Sequence, residues 1–517
     1  MQGRALRVRR IKQRGKRMKK FIILSVFIIL TAFICFASAA CGDSGNDSAN
    51  RDNLPSPGPD DINAEDISAQ DVIRDSLPAG LDFGGAVLTL HTRGSAHIDV
   101  DVPEFGVEAE IGEIINDILY RRDKAVEDRL NLKLNVIEGQ PWQEYDQSVR
   151  TIRASIAAGD ESYDLIAGWS ARIPGLSIEG YLMNLFDVPH LNLTEPWWNQ
   201  IIVDGLTVAN QLHFAVGDGN LSLLSGCMVM FVNNKLHQEF GLPNLYDAVF
   251  DGGWTFDYMS GLVRNIHRDL NGDGVMDAND LYGINMFEGN RVDGFLQSSN
   301  IKMIQIDEHG IPYLDMEYEK LAVLVDKVFD LLYRSEGSFT GSDFWVYDID
   351  MFKNDQVLIS PGPLSISSTN LRDMETDYSI IPYPKFDEAQ EKYFTRILDS
   401  VSLFCIPVNS TKTEMTGAFM EAMASESYRN VSSDYFDVAI KLKYARDEAS
   451  SAMLDIIRSG AYLNFAGIYN ESIGYPWHVM RSLMNDKSSN FASWFDRNER
   501  VIARGIDRLV EQMDMAG

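Results

Sequence analysis

Asp164-Leu165-Ile166-Ala167-Gly168-Trp169, residues 164–169, is the stretch on which the fold turns. With Tyr163 in front of it, the run to Ala167 reads as a short strand buried on both faces. Upstream of it, Tyr145, Val149, Ile152 and Ile156 recur at helical spacing, and Gly159 stops them. Before that helix, Leu132, Leu134 and Val136 alternate as a strand. Ile111, Ile114, Ile118, Val126 and Leu130 mark an earlier helix, with Arg121, Arg122, Asp123, Glu127 and Asp128 between them. Ala86-Val87-Leu88-Thr89-Leu90, after Gly84-Gly85, opens the series as a β-type run. Strand, helix, strand, helix, strand predicts a parallel sheet.

Further out, the chain begins with a segment that is not part of the fold. Lys19-Lys20 precede an apolar run from Phe21 to Phe36, followed by Ser38-Ala39-Ala40 and Cys41. This reads as a signal peptide over residues 1–40, with an h-region too short to span a bilayer comfortably. A Cys directly after small residues resembles a bacterial lipobox, although Ser38 stands where such motifs usually carry Leu. The expectation is lipid on Cys41; the plainer reading is an ordinary cut near Ala40. Residues 41–83 are rich in Gly, Ser, Asn, Asp and Pro and read as a tether. The net charge is −29, and removing the basic segment Arg4–Lys20 makes it more negative. Such a field excludes binding to nucleic acid through a general positive surface. No apolar stretch after Phe36 is long enough to cross a membrane. Cys227 and Cys405 sit in apolar runs and read as buried free thiols rather than a disulfide.

The ordered motifs downstream resemble the sugar-type, maltose-binding-like extracellular solute-binding proteins of ABC importers. Residues 164–169 resemble that family's strand ending in an aromatic at the cleft edge. Gly180-Tyr181-Leu182-Met183-Asn184-Leu185 resembles the turn that follows. Met228 to Leu236 resembles the strand with the "yyNk-x-l" signature, and Gly253-Trp254-Thr255-Phe256-Asp257 the "tW-x-e" helix start. Met351 to Ile359 resembles the "F-x-x-G-x-x-am" step, with Asn354-Asp355 in place of its Gly. Gly362-Pro363 and Ile381-Pro382-Tyr383-Pro384 resemble "Gp" and "P-x-P"; Leu364 stands where maltose-type proteins often carry a stacking aromatic. The series covers roughly residues 84–517.

The resemblance implies an α/β, two-lobed, periplasmic-binding-protein-like fold (type II) with the ligand cleft between the lobes. The first lobe is expected at 84–212 with 401–445, the second at 218–396 with 446–517. Crossings are expected near Leu212–Gly219, Thr395–Ile406 and Tyr444–Ala449. It also implies a monomeric binding component, not an enzyme, anchored to the cell membrane outside the cytoplasm. Its solute would be a sugar or oligosaccharide, handed to ABC permease subunits. A secreted carbohydrate-active enzyme, an adhesion module and a peptide ligand are the alternatives. Sugars need aromatic faces together with polar side chains. Trp169, with Ser170 and Arg172 beside it, is the candidate in the first lobe, and Trp477 and the pair Trp345 with Tyr347 are candidates in the second. Each ring could instead be packing. Trp142, Trp254 and Trp494 read as packing residues, and Trp197-Trp198 as a cap on the first lobe.

The sharpest local motif is Asp269 to Asp280. Asp269, Asn271, Asp273, the Val275 carbonyl, Asp277 and Asp280 fit the spacing of a twelve-residue Ca2+ loop, with Gly274 at the sharp turn. A structural Ca2+ is expected, in a single loop with a helix on its N-terminal side only. The alternative is a surface turn without metal. No H-E-x-x-H, G-x-S-x-G, Walker or G-x-G-x-x-G pattern follows a suitable element. Acid pairs such as Asp348/Asp350 and Asp373/Glu375 read as solvated surface in so acidic a chain.

Overall fold

The computed structural model describes residues 74–94, 103–286, 289–340, 348–432, 434–435 and 448–516. The signal, Cys41 and most of the tether lie outside the described residues, as do Trp345, Tyr347 and most of the third expected crossing.

The folded chain reaches back further than Gly84. Leu77 is buried in the core, and Asp75 pairs with Arg129 and accepts from Ser425. After Gly84 and Gly85, both at positive φ (63° and 77°), β1 (Ala86–Thr92) begins. It pairs in parallel with β2 (Leu132–Glu138), Leu88 against Leu134, and with β3 (Leu165–Trp169), Leu90 against Leu165. The helix Ile114–Leu130 makes the first crossover and buries Ile118, Leu119, Val126 and Leu130. It ends at Asn131 in the left-handed region (φ 46°), whose N–H bonds the Glu127 carbonyl. The helix Tyr145–Ala157 makes the second and ends before Gly159, at φ 70°. Each core side chain contributes about 1.5–3 kcal/mol on burial, and this sets the two crossovers against the sheet.

The chain returns to this sheet late. β13 (Ser402–Cys405) adds antiparallel to β3, Ser402 opposite Trp169, giving the order β13-β3-β1-β2. The helix Thr413–Glu426 then packs on Ile114–Leu130.

The second sheet is built from residues in between. β4 (Met228–Asn233) lies antiparallel between β10 (Val357–Pro363) and β11 (Tyr378–Pro382). β6 (Leu281–Met286) runs parallel to β10, and the short β5 (His267–Arg268) and β9 (Ser338–Thr340) share its other side. Every residue of β4, β6 and β10 is buried, which is why each reads as a largely apolar run, with Asn233, Asn285 and Ser360 as its buried polar members. Asp355, in the turn before β10, has φ 57°. A left-handed residue there explains a Gly at this step; Asp355 accepts from Asn233, Lys235 and Thr376 instead, offsetting the strain of a non-Gly residue. Leu364, after β10, is buried.

Between the sheets two segments run side by side. Ala215 and Phe404 exchange both backbone hydrogen bonds at 3.0 Å, and Leu398 N–H bonds the Gly226 carbonyl at 3.0 Å. β12 (Thr395–Arg396) pairs with β14 (Ala461–Tyr462) alongside. Asp218 accepts two hydrogen bonds from Arg458, both 2.8 Å. Cys227 and Cys405 are buried and unpaired with each other. The segment expected to belong to the second lobe alone packs on both sides. Its helix Val479–Asn485 lies on Asp293–Ser298 and Tyr318–Tyr333, while Phe465–Ile468 lies on Gln200–Leu206 and Phe491–Ala516 reaches both Gly175–Ile178 and the hairpin of β7 (Ile304–Ile306) and β8 (Pro312–Leu314).

Candidate functional site

A cavity of about 210 Å³ lies where the first sheet, the crossing segment and the C-terminal helices meet. The first lobe supplies Trp142, Ser170 and Arg172; the crossing supplies Ile397 and Asp399; Gln297 comes from the helix Asp293–Ser298. The C-terminal segment supplies Asn464, Asn470, Tyr475, Trp477, His478 and Arg481. A more open groove of about 480 Å³ continues from Arg172 and Glu471 along the helix Tyr145–Ala157.

The first wall is aromatic. Pro141 starts a single turn, Trp142–Glu144, that presents the Trp142 ring. The Arg172 guanidinium lies over that ring, 4.4 Å from its centroid. Trp169 was expected at this face, and the structure places it behind. Its side chain is fully buried, edge-on to Trp142 at 5.2 Å and to Tyr145 at 6.1 Å, with the Arg93 guanidinium 4.9 Å above it. Trp142, read from the sequence as packing, is therefore the ring that faces the cavity. Ser170 lines the cavity but donates its hydroxyl to the Asp399 carbonyl at 2.7 Å, and its N–H bonds the Val401 carbonyl at 3.0 Å. Trp477 lines the cavity although only 3% exposed; its backbone N–H donates to Asn470 Oδ1 at 2.9 Å. Tyr475 is 47% exposed, takes φ 63°, and stacks on His478 at 5.4 Å. A left-handed Tyr costs of the order of 1 kcal/mol or more and survives only where its surroundings hold it.

The floor is ionic. Asp399 accepts from Arg396 Nη2 at 2.7 Å and from Arg481 Nη2 at 3.3 Å. Arg481 Nε also donates to Asp293 at 2.6 Å, and Arg396 lies 4.0 Å from the same carboxylate. Asp293 and Arg396 are fully buried, while Asp399 is 38% exposed. Burial works against ionising Asp399, but Arg396 and Arg481 outweigh it and hold the carboxyl below the usual range. At Asp293 burial wins and its pKa is raised. Arg481 stays charged because Asp293 and Asp399 outweigh its desolvation. Burial, reinforced by Arg481, drives His478 down to about 4, so this imidazole is neutral at ordinary pH.

Away from the cavity, Trp197 and Trp198 are buried and both indole N–H groups donate to Glu421, at 3.1 and 2.9 Å. Glu421 has no cationic partner among the described residues, and burial raises its pKa to about 7. Trp254 is buried, with its N–H on the Pro382 carbonyl at 2.9 Å; Trp494 is buried at the C-terminal helix.

The loop Asp269–Asp280 lies far from these residues in the second sheet. It connects β5 to its antiparallel neighbour β6, so its N-terminal flank is a strand and not the expected helix. The helix Phe256–Val263 stops because the Arg264 carbonyl is taken by Gly337 N–H at 3.1 Å. Asp269 accepts from Gly272 and Gly274, Asn271 from Asp273, and Asp273 from Val275. Asp280 is buried and accepts from Leu270 and Asp277. Those N–H bonds, that of Gly274 first, hold Asp269 below the usual carboxylate range. Among the described residues no group of three or more His, Cys, Asp or Glu side chains converges on one point.

Sequence reasoning missed Gln297, Asp399 and Arg481. They carry no motif, and Arg481 stands 188 residues from its partner Asp293.

No protein-family model matches the chain, and no curated protein matches it by sequence. Among solved structures it is similar to a sugar transporter from Rhizobium etli in an open conformation, at 14% identity over 83% of this chain and 99% of that one, TM-score 0.49. It is also similar to an ABC substrate-binding protein from Listeria monocytogenes in complex with cycloalternan, at 12% identity, 83% and 99% coverage, TM-score 0.46. A third is the maltose/maltodextrin-binding domain from Bdellovibrio bacteriovorus bound to maltotriose, at 9% identity, 83% and 99% coverage, TM-score 0.46.

Proposed function

We propose that this chain is the substrate-binding component of an ABC importer, capturing a small carbohydrate outside the membrane and delivering it to permease subunits. The observation that carries the reading is the cavity between the two lobes. It sets the rings of Trp142, Trp477 and Tyr475 against the fixed polar groups of Asp399, Arg481 and Gln297. A solute there touches the first wall, the crossing and the second lobe together. Those contacts exist only with the lobes together, so the solute stabilises that form, and a permease can read it. No covalent chemistry is invoked. At about 210 Å³ the cavity is smaller than the roughly 300–1,000 Å³ of drug-sized pockets, so it suits about one ring, with the outer groove left for the rest of a longer ligand.

Thermal shift followed by calorimetry on the purified protein, with a panel of mono- and oligosaccharides beside di- and tripeptides, tests this. A sugar should raise the melting temperature in a dose-dependent way. A response to peptides alone moves the ligand class, and release of monosaccharide from a bound glycoside replaces the binding role with an enzymatic one.

Two further parts of the proposal rest on sequence motifs. Cys41 carries the lipid, so Cys41→Ala should move the protein from the membrane to the soluble fraction; retention after detergent-free washing overturns it. Asp269–Asp280 holds a structural Ca2+, so calcium should raise the melting temperature of the wild type and not of Asp273→Ala. A wild type indifferent to calcium and to chelator makes the loop a turn only.

A further inference from the structure

Gln297 is 3% exposed and lines the cavity. Its amide nitrogen donates to the Tyr462 carbonyl at 3.1 Å. That bond sets which end of the amide is which, because a carbonyl accepts only from the NH2 group. The amide oxygen is thereby fixed as the other end, and it is buried without a hydrogen-bond partner among the described residues. A buried unsatisfied acceptor is a cost that folding does not recover by itself. Asp399 is the neighbouring acceptor on the floor. Arg396 and Arg481 occupy one site on each of its oxygens, and a carboxylate has about four such sites. The rest face the cavity through its 38% exposed side chain.

We infer that Gln297 and Asp399 form an acceptor pair that reads two hydroxyl groups on the inner ring of the solute and sets the specificity of the site. This rests on the proposed carbohydrate function and sharpens it. The pair offers acceptors only, so it demands hydrogen-bond donors. It selects a neutral polyol ring over one carrying a carboxylate or phosphate at its inner end, which would face Asp399. It also rejects rings lacking either hydroxyl, because the amide oxygen is then left unpaired inside the complex. The two residues come from different parts of the chain, Gln297 from a helix of the second lobe and Asp399 from the crossing segment. Correct reading therefore requires both to be in place at once.

The test measures calorimetric affinity for glucose, galactose, mannose, xylose and their common disaccharides, then for the singly deoxygenated analogues and uronate counterpart of whichever binds. Wild type should lose tenfold or more on removal of either of two hydroxyls, and should bind the uronate more weakly than the neutral sugar. In Gln297→Met the penalty at one of those hydroxyls should shrink to about threefold or less, with the other kept. In Asp399→Asn the neutral-over-acid preference should shrink. A merely structural role for Gln297 would lower every affinity alike and leave the ratios in place, which overturns the assignment. If Gln297→Met is too unstable to measure, Asp399→Asn decides: the penalty at the hydroxyl that Asp399 reads should shrink with the other kept, and an equal loss at both overturns the pair. A wild type that binds sugars without discriminating among the deoxy analogues overturns the pair alone. A wild type that binds none of the sugars overturns the carbohydrate reading and the pair with it.

Discussion

The two sides of the cavity are made of different physics. The first wall is a layer of rings, Trp142 backed by Trp169 and Tyr145 and topped by Arg172. The floor is a chain of alternating charges, Asp293, Arg481, Asp399 and Arg396. A wall of rings supplies area and little direction; the charged floor supplies direction. The floor is also the costlier to build, because its members must be desolvated and then paired with one another. The wall can lose a ring and still be a wall, whereas the floor cannot lose a carboxylate and remain neutral.

The largest effects should follow from breaking that contrast at its buried layers. Asp293→Ala removes one of the two carboxylates that Arg396 and Arg481 share, leaves Asp399 alone against two guanidinium groups, and should cost about 3–5 kcal/mol of folding stability, read as a lower denaturant midpoint. Trp169→Ala should cost a similar amount, about 3–5 kcal/mol, because it opens a cavity behind the wall. A stable Trp169→Ala with sharply reduced affinity would return that ring to the ligand.

Next comes a buried carboxyl that has no guanidinium partner among the described residues. Burial raises the Glu421 carboxyl from its ordinary 4.5 to about 7. Folding therefore takes up a proton between those values. The associated stability is fully present below pH 4.5 and is lost as pH rises through 7, amounting to about 3 kcal/mol. Denaturant midpoints across that range should show the decline, and Glu421→Gln, which cannot titrate, should lack it. An equal slope in both proteins would assign it elsewhere. The smallest effect belongs to the half-buried ring that lines the cavity. Trp142→Ala should weaken solute binding by roughly tenfold to a hundredfold, about 1–3 kcal/mol, with little change in midpoint. Lost stability with unchanged affinity would make Trp142 the packing residue.

The wall and floor also differ in how far they can be read from sequence. Buried strands such as Met228–Asn233 and Val357–Pro363 are apolar on both faces, so their runs announce them. The crossover helices show their spacing for the same reason. Which of two nearby tryptophans faces the cavity is not written in that pattern, because all five residues of β3 are buried and alternation carries no signal. The floor is harder still: residues 293, 396, 399 and 481 meet only after the chain has crossed between the lobes. The flank of the acidic loop is a strand where the sequence predicts a helix, because Gly337, which bonds the Arg264 carbonyl just past the helix, is far along the chain. Asp355 shows the opposite case, a departure from the expected Gly that its three side-chain partners explain.

The outer side of β6 is closed by two stubs, His267–Arg268 and Ser338–Thr340, rather than by one strand. The acidic loop springs directly from the first of them. At the opposite side of the same sheet β11 ends in Pro382 and is covered by the helix Glu448–Ser459. Among the described residues neither border offers a long flat row of open peptide groups, and like charge stands beside one of them. Copies of the protein would thus find no template there for adding strand to strand, and the sheet that carries the second lobe is protected from the aggregation to which open β edges are prone.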